Sequence, residues 1–484
     1  MPARLNGIYY GWVLAVMLGI TQTITWGIAY YGFSSFMPAQ EADLGWSRGQ
    51  MSGALSVAML LSGLAAARSA LPDARTWFEQ TLAVLGTLPE CRSSLEQAFE
   101  IRLELRPVLT QLGDPGGALE RLREAEAVAE LLGDDRRRGR VYSFMTNAHF
   151  LLGELTDAVM TGTRALEIAR RLGDLGLRIP ATTYLVMAHY LQGDYEREVE
   201  LASDNIAALP ADWVSKRFGL TAPASVFDRA YLVMSLAHLG RFTEAVEYAT
   251  EAIRLAEPTQ HAFTVAVAYR AAGTLHLLQG DWARARPLIE HEVTVIRTGS
   301  VVLLLPATIA CSAWVLAELG EATEALTRLR EGEQVNDQLA ARGVFSAGWA
   351  YHGLGRACLM LGRLDEAPRM ADRALEFSTQ HLGFAAYALQ LHGDIATRPD
   401  RFDAARGEDR YRAALALADP RGMRPLQAHC HLGLGKLYRR VGRDDVARAE
   451  LARAVTMLRD MDMTFWLPEA EAELAQLGSS GADL

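Results

Sequence analysis

Residues able to catalyse or to bind metal occur in this chain, and their spacing decides what they could do. His429-Cys430-His431 sets three metal-ligating side chains in a row. Neighbours one and two positions apart on a helix point in different directions, so these three cannot hold one ion together. In "IEHEVTVI" the place where an HExxH metal motif needs its second histidine is Val295. "HLGLGKLY", His431 to Tyr438, contains a Gly-Leu-Gly-Lys run, but Lys436 is followed by Leu437 and the run sits inside a helical pattern rather than between a strand and a helix. It is read as helix packing, not as a phosphate-binding loop. No GxSxG elbow occurs, and Cys91, Cys311, Cys358 and Cys430 lie far apart with no CxxC spacing. The expectation is a protein that is not an enzyme and has no cofactor and no metal.

The elements that carry these residues fit that expectation. Half of the 484 residues are hydrophobic, enough for a large core and more than one structural unit. Lys plus Arg number 48 against 58 Asp plus Glu, a net charge of -10, which argues against a nucleic-acid partner held by phosphate neutralisation. From about Trp77 a pattern repeats. Its turns fall at Gly113, Gly153, Gly193, Gly240, Gly280, Gly320, Gly362, near Asp400 and at Gly442, nearly every step being 40 to 47 residues. Each unit reads as an apolar-periodic helix ended by glycine, a polar residue, an apolar residue and a second helix. A small residue follows each turn (Ala118, Ala158, Ala245, Ala285, Ala325, Ala367, Ala447), and alanine often recurs seven positions on (Ala125, Ala165, Ala252, Ala374, Ala454). Seven is nearly two helical turns, so both would face the partner helix. This is the tetratricopeptide pattern with lengthened helices, nine units from about 77 to 478. The fold expected is all-α: a right-handed superhelical solenoid with a concave groove.

Counting back from each turn, the groove-facing positions of first helices include Arg140, Tyr190, Phe227, Arg270, Trp314, Trp349, His352, Arg356, His429, Lys436 and Arg439. Two readings stay open. They could form a mildly basic, aromatic groove for an extended peptide or acidic tail, with Arg orienting carboxylates. Alternatively, they fill the superhelix and pair with neighbouring Glu and Asp. Of the Lys and Asn clamp found in chaperone-binding repeats, only Asn147 falls at an expected place. The charge run "DDRRRGR", Asp134 to Arg140, reads as a solvated turn between repeats, with an anion or partner contact as the alternative.

The segments "WFEQTLAVLGTLPECRSSLEQAFEIRLELRPVL", "LREAEAVAELLGDDRRRGRV", "MRPLQAHCHLGLGKLYRRVGRDDVARAEL" and "MDMTFWLPEAEAELAQL" resemble the C-terminal helical region of bacterial signalling proteins that carry a class III adenylate/guanylate cyclase and an AAA-type ATPase. The resemblance spans about 77 to 478 and implies a regulatory or protein-binding role, without the catalytic part. The beginning of the chain differs. Residues 5 to 40 hold no Asp, Glu, Lys or Arg, and about 20 apolar residues cross a bilayer. A second uncharged run, Gly49 to Ala67, is a weaker span. "YYGWVLAVMLGITQTITWGIAYYGFSSFMPAQEADLGWSRGQMSGALSVAMLLSGLAA" resembles the N-terminus of major facilitator superfamily transporters over about 60 residues; "RSALPDARTWFEQ" then stands where that family has a Gly-rich basic loop. Two spans cannot enclose a transport pathway.

The domain expectation is thus a membrane segment at 1–66 with one or two transmembrane helices, a linker at 67–76, the repeat domain at 77–478 and a disordered tail at 479–484. The function expected is a non-catalytic scaffold or regulator that binds a protein or peptide, tethered through residues 8–66 to the inner membrane with the repeats in the cytoplasm. Without that segment in use, the protein would be cytoplasmic. The alternative is a truncated transporter fragment fused to a repeat region, with no unified function.

Overall fold

The structure is a computed structural model that describes residues 71–87, 89–340 and 347–479. The two expected membrane spans and residues 480–484 of the tail lie outside the described residues. Every regular element among the described residues is helical. None of these helices is long and apolar enough to cross a membrane.

The residues divide into two compact units after Leu132. The first holds α1 (Leu71–Leu85), α2 (Arg92–Gln111) and α3 (Pro115–Leu131). Its core joins Phe78 and Leu85 of α1 to Ile101, Leu105 and Leu109 of α2 and Ala118 of α3. Helix α1 starts inside the stretch expected as linker: Leu71, Phe78 and Leu85 recur at seven-residue spacing, which gives one helical face an apolar stripe to bury.

The second unit contains α4 (Asp135–Leu152), α5 (Leu155–Leu172), α6 (Leu175–Gln192), α7 (Tyr195–Ala208), α8 (Ala224–Leu239), α9 (Phe242–Ala256), α10 (Ala262–Gln279) and α11 (Trp282–Thr298). It continues with α12 (Leu305–Glu318), α13 (Ala322–Ala340), α14 (Ala347–Met360), α15 (Ala367–Glu376), α16 (Leu382–Ala396), α17 (Ala404–Ala418), α18 (Arg424–Arg440), α19 (Asp444–Asp460) and α20 (Leu467–Ser479). Helices pair as tetratricopeptide-like hairpins, α4 with α5 through α18 with α19, and each packs on the next; α20 follows the last pair. With α2 and α3 of the first unit, nine hairpins turn at the nine places the period marks.

Eight of those turns are glycines with φ between 69° and 81°, a left-handed conformation that ends a helix without a Cβ penalty. At Gly153 the motif is complete: Gly153 N–H donates to the Phe150 carbonyl and Glu154 N–H to that of His149. The ninth turn, which has no glycine, is built instead by a short 3₁₀ segment, Pro399–Arg401, with Asp403 capping α17 through the Arg406 N–H at 3.0 Å. The twelve repeat alanines are all completely buried. A larger side chain at any of them would push its hairpin apart.

The glycines of the "HLGLGKLY" run are packing residues: a Cβ on Gly435 would stand 2.5 Å from Leu451 and one on Gly433 2.4 Å from Tyr411. The Asp134–Arg140 run is paired at a hairpin junction, partly within itself and partly with Arg171 and Asp174. Asp134 caps α4 through the Arg137 N–H, Arg136 pairs with Asp174 at 2.6 Å, and Asp135 takes Arg171 at 2.6 Å.

Candidate functional site

The first helices of successive hairpins turn their aromatic positions inward, as the register predicts, and there the rings meet one another. Trp314 lies 6.1 Å from Trp282, 6.4 Å from Trp349 and 5.5 Å from His352, ring centre to ring centre. Trp349 stacks on His352 at 5.3 Å and meets Tyr387 edge-on, also at 5.3 Å. Tyr190 packs against Tyr195, Tyr231 and Phe384; Phe227 continues the row through Tyr231 and Phe263. Tyr190, Phe227, Trp314, Trp349 and His352 are all buried.

This filling follows from the way the second unit closes on itself. Helix α6 touches α16, and α8 touches α18. At the centre His238 bridges elements 149 residues apart in sequence: its Nδ1 lies 2.9 Å from the Tyr387 hydroxyl and its Nε2 3.3 Å from that of Tyr190, while the ring stacks on Tyr195 at 4.6 Å. The turn glycines permit the approach. A Cβ on Gly280 would stand 2.5 Å from the Trp466 ring, and one on Gly240 2.3 Å from Met461 Sδ. His429, half-buried on α18, meets Trp466 edge-on at 4.4 Å. Its neighbours diverge as helical geometry requires, His431 to Glu450 at 2.5 Å and Cys430 into the core.

Arg270, Arg356, Lys436 and Arg439 each have a partner of their own. Arg270 donates to Glu292 at 3.0 Å, to the Leu304 carbonyl and to the Thr308 hydroxyl. Arg356 donates to Asp394 at 2.5 Å and covers the Trp314 ring at 5.5 Å, while Trp314 Nε1–H donates to Glu318 at 3.0 Å. Lys436 pairs with Glu469 and Arg439 with Glu473, both on α20. Arg140 is half-buried on α4 and also engaged. The structure therefore unites Tyr190, Trp314, Trp349, His352, Arg356 and His429 in one interior cluster, leaves Lys436 and Arg439 under α20, and sets Arg140 on a separate hairpin.

Burial controls the protonation of this interior. It pushes the imidazoles of His238 and His429 down to about 3 and that of His352 well below its usual range, so all three are neutral. It raises the hydroxyls of Tyr190, Tyr195 and Tyr387. Two acids behave likewise. Burial lifts Asp228 to about 7 against the hydrogen bonds of Thr183 and Asn205, and lifts Glu198 well above the carboxylate range against that of Ser235. Both acids are packing groups held between α6, α7 and α8: Glu198 is neutral, and Asp228 is poised to change charge near pH 7.

An open cleft lies at the rim, where the hairpin turn at Gly193 faces the segments around Gln380 and Arg421. It measures ≈ 470 Å³ and is lined by Thr156, Gln192, Asp194, Glu196, Gln380 and Arg421 over Leu155, Leu382 and Pro420. Asp194 and Glu196 are exposed along it. Spacing could not reveal this cleft, because its walls come from repeats that meet only through the closure.

No protein-family profile matches the chain, and no curated protein is similar enough in sequence to align with it. Among solved structures it is similar to a Rap protein complexed with competence and sporulation factor, at 12% identity over 84% of this chain and 98% of that one, with a TM-score of 0.47. RapI in its apo form gives 13%, 75%, 98% and 0.49, and yeast Tom70 gives 13%, 89%, 99% and 0.34. All three TM-scores lie under 0.5.

Proposed function

We propose that the protein is a non-catalytic scaffold that holds an extended segment of a partner protein, and that the rim cleft is where it does so. The observation that carries this reading is the closure of the second unit: the inner aromatic face is occupied by its own rings, whereas the ≈ 470 Å³ cleft is open and lined by polar and apolar residues alike. Asp194 and Glu196 face His189 and Arg241 at 3.2 and 3.6 Å and are exposed on their other side, where they suit a segment presenting a Lys or Arg side chain, and the apolar floor of Leu155, Leu382 and Pro420 suits its aliphatic stem. The resemblance of residues 77–478 to the helical region of cyclase/ATPase signalling proteins supports a regulatory role for that binding. Residues 8–66, with their uncharged run, would tether the scaffold to the inner membrane.

Site-specific photo-crosslinking in cells tests the binding reading, with a benzophenone side chain at Gln380 in the cleft or at exposed Thr250 on α9. A discrete adduct from position 380, absent from position 250 and diminished by Glu196→Arg, is expected. Identical patterns from both positions, or no adduct at 380, would overturn it.

A further inference from the structure

One turn of the repeat carries a group of side chains that the scaffold reading does not use. His149 is buried in the last turn of α4, Glu154 is the residue before α5, and Asp157 stands in the first turn of α5. One donor atom from each lies within 4.8 Å of the others, and His149 Nδ1 is 2.6 Å from Glu154 Oε2. We propose that His149, Glu154 and Asp157 form a binding site for a single divalent transition-metal cation of the Zn²⁺ or Ni²⁺ class.

The other hairpins show why this turn differs. The same register recurs as His189, Gly193, Asp194 and Arg197, and as His276, Gly280, Asp281 and Arg284. In both, the histidine sits beside the acid after the turn, with His189 Nδ1 3.2 Å from Asp194. In both, the position eight residues after the histidine is an arginine close enough to bias the imidazole, and Arg284 lies 3.5 Å from Asp281. That arginine supplies the positive charge beside the pair. In the α4–α5 turn the same position is Asp157, which adds a second carboxylate. Among the described residues no Arg or Lys forms an ion pair with Glu154 or Asp157. The register that elsewhere carries its own cation here presents one nitrogen and two carboxylates.

The donor set suits a transition metal. Imidazole with carboxylates is a common ligand set for Zn²⁺, with bonds of about 2.0–2.2 Å, which places donor atoms about 3.3 Å apart around a tetrahedral ion. Glu154 and Asp157 are exposed and can close that distance by side-chain rotation, while packing fixes His149. Three protein ligands leave water in the remaining position. The site borders the rim cleft, which Leu155 and Thr156 line between Glu154 and Asp157.

Calorimetric titration of the full chain with ZnCl₂ and NiCl₂, together with the visible absorption of bound Co²⁺, tests the site. One equivalent should bind, at least tenfold more weakly in His149→Gln and Asp157→Asn, and the Co²⁺ band should disappear in Asp157→Arg, which rebuilds the register of the other two turns. Asp157 is exposed, so its variants leave the core untouched. A wild-type chain that binds no equivalent, or one whose affinity and Co²⁺ spectrum are unchanged in the Asp157 variants, would overturn the proposal.

Discussion

Asp228→Asn isolates the energy of one buried proton. The Asp228 carboxyl is completely enclosed on α8, accepts a hydrogen bond from Asn205 Nδ2 at 2.8 Å, and burial raises it from 3.8 to about 7. A folded-state value above the unfolded one means that the folded chain holds a proton the unfolded chain has lost. The stabilisation is full below 3.8 and disappears as pH rises through 7. At 1.36 kcal/mol per unit the whole shift corresponds to about 4 kcal/mol, of which about 2.6 kcal/mol is lost between pH 5 and pH 8. Asparagine keeps the shape and can still accept from Asn205, but cannot ionise. Urea denaturation of both chains, followed by circular dichroism at several pH values, gives the difference between them, from which groups that titrate equally in both cancel. The variant should gain on the wild type by about 2–3 kcal/mol from pH 5 to pH 8. A difference that stays constant across this range would refute the assignment of a protonated Asp228 to the core.

Three further outcomes follow from the packing. Gly280→Ala and Gly320→Ala both place a Cβ on a left-handed residue at a strain of about 1 kcal/mol, but only the first meets a ring, Trp466, so thermal denaturation should show Gly280→Ala the more damaging by at least about another 1 kcal/mol. Tyr387→Phe removes the hydroxyl that joins α16 to His238 of α8, which should lower stability by about 1–2 kcal/mol and speed amide exchange in both helices; unchanged exchange would contradict the bridge. Fractionation with carbonate washing should retain the full chain in the membrane and release a truncated chain that begins at Ala70, which should remain helical and melt cooperatively; a washable full chain would remove the tether.

The local organisation was legible because it depends on short-range spacing. Glycine at the turn marks eight hairpins and the alanine after it seven of them, and near Asp400 the neighbouring repeats supplied the period that its own residues lack. Lys436 and Arg439 lie under α20 and Arg140 on a separate hairpin, but the inward positions of Tyr190, Phe227, Trp314, Trp349 and His352 were legible for the same reason. What they face was not. His238 meets Tyr387 across 149 residues, and Trp282 meets Trp466 across about half of the second unit, through a pitch that accumulates small rotations from hairpin to hairpin. A repeat period carries no direct record of that pitch. The two readings of the basic residues remained open in the sequence for this reason, and the ion pairs of Arg270, Arg356, Lys436 and Arg439 lie on the side of internal pairing. The rim cleft and the trio at His149 were likewise out of reach, the first because closure creates it and the second because its distinctive residue, Asp157, is an ordinary exposed acid until compared with Arg197 and Arg284.

The central claim is that partners dock on the rim of a closed repeat unit. Hydrogen–deuterium exchange of the full chain, alone and bound to the protein identified by crosslinking from Gln380, tests it most directly. The account predicts slower exchange confined to 192–196, 379–382 and 420–422, with Val233–Leu239 of α8 and Trp349–Leu354 of α14 unchanged. Exchange that changes in those two inner segments on binding would mean that the unit opens and admits its partner to the aromatic face, contradicting the account.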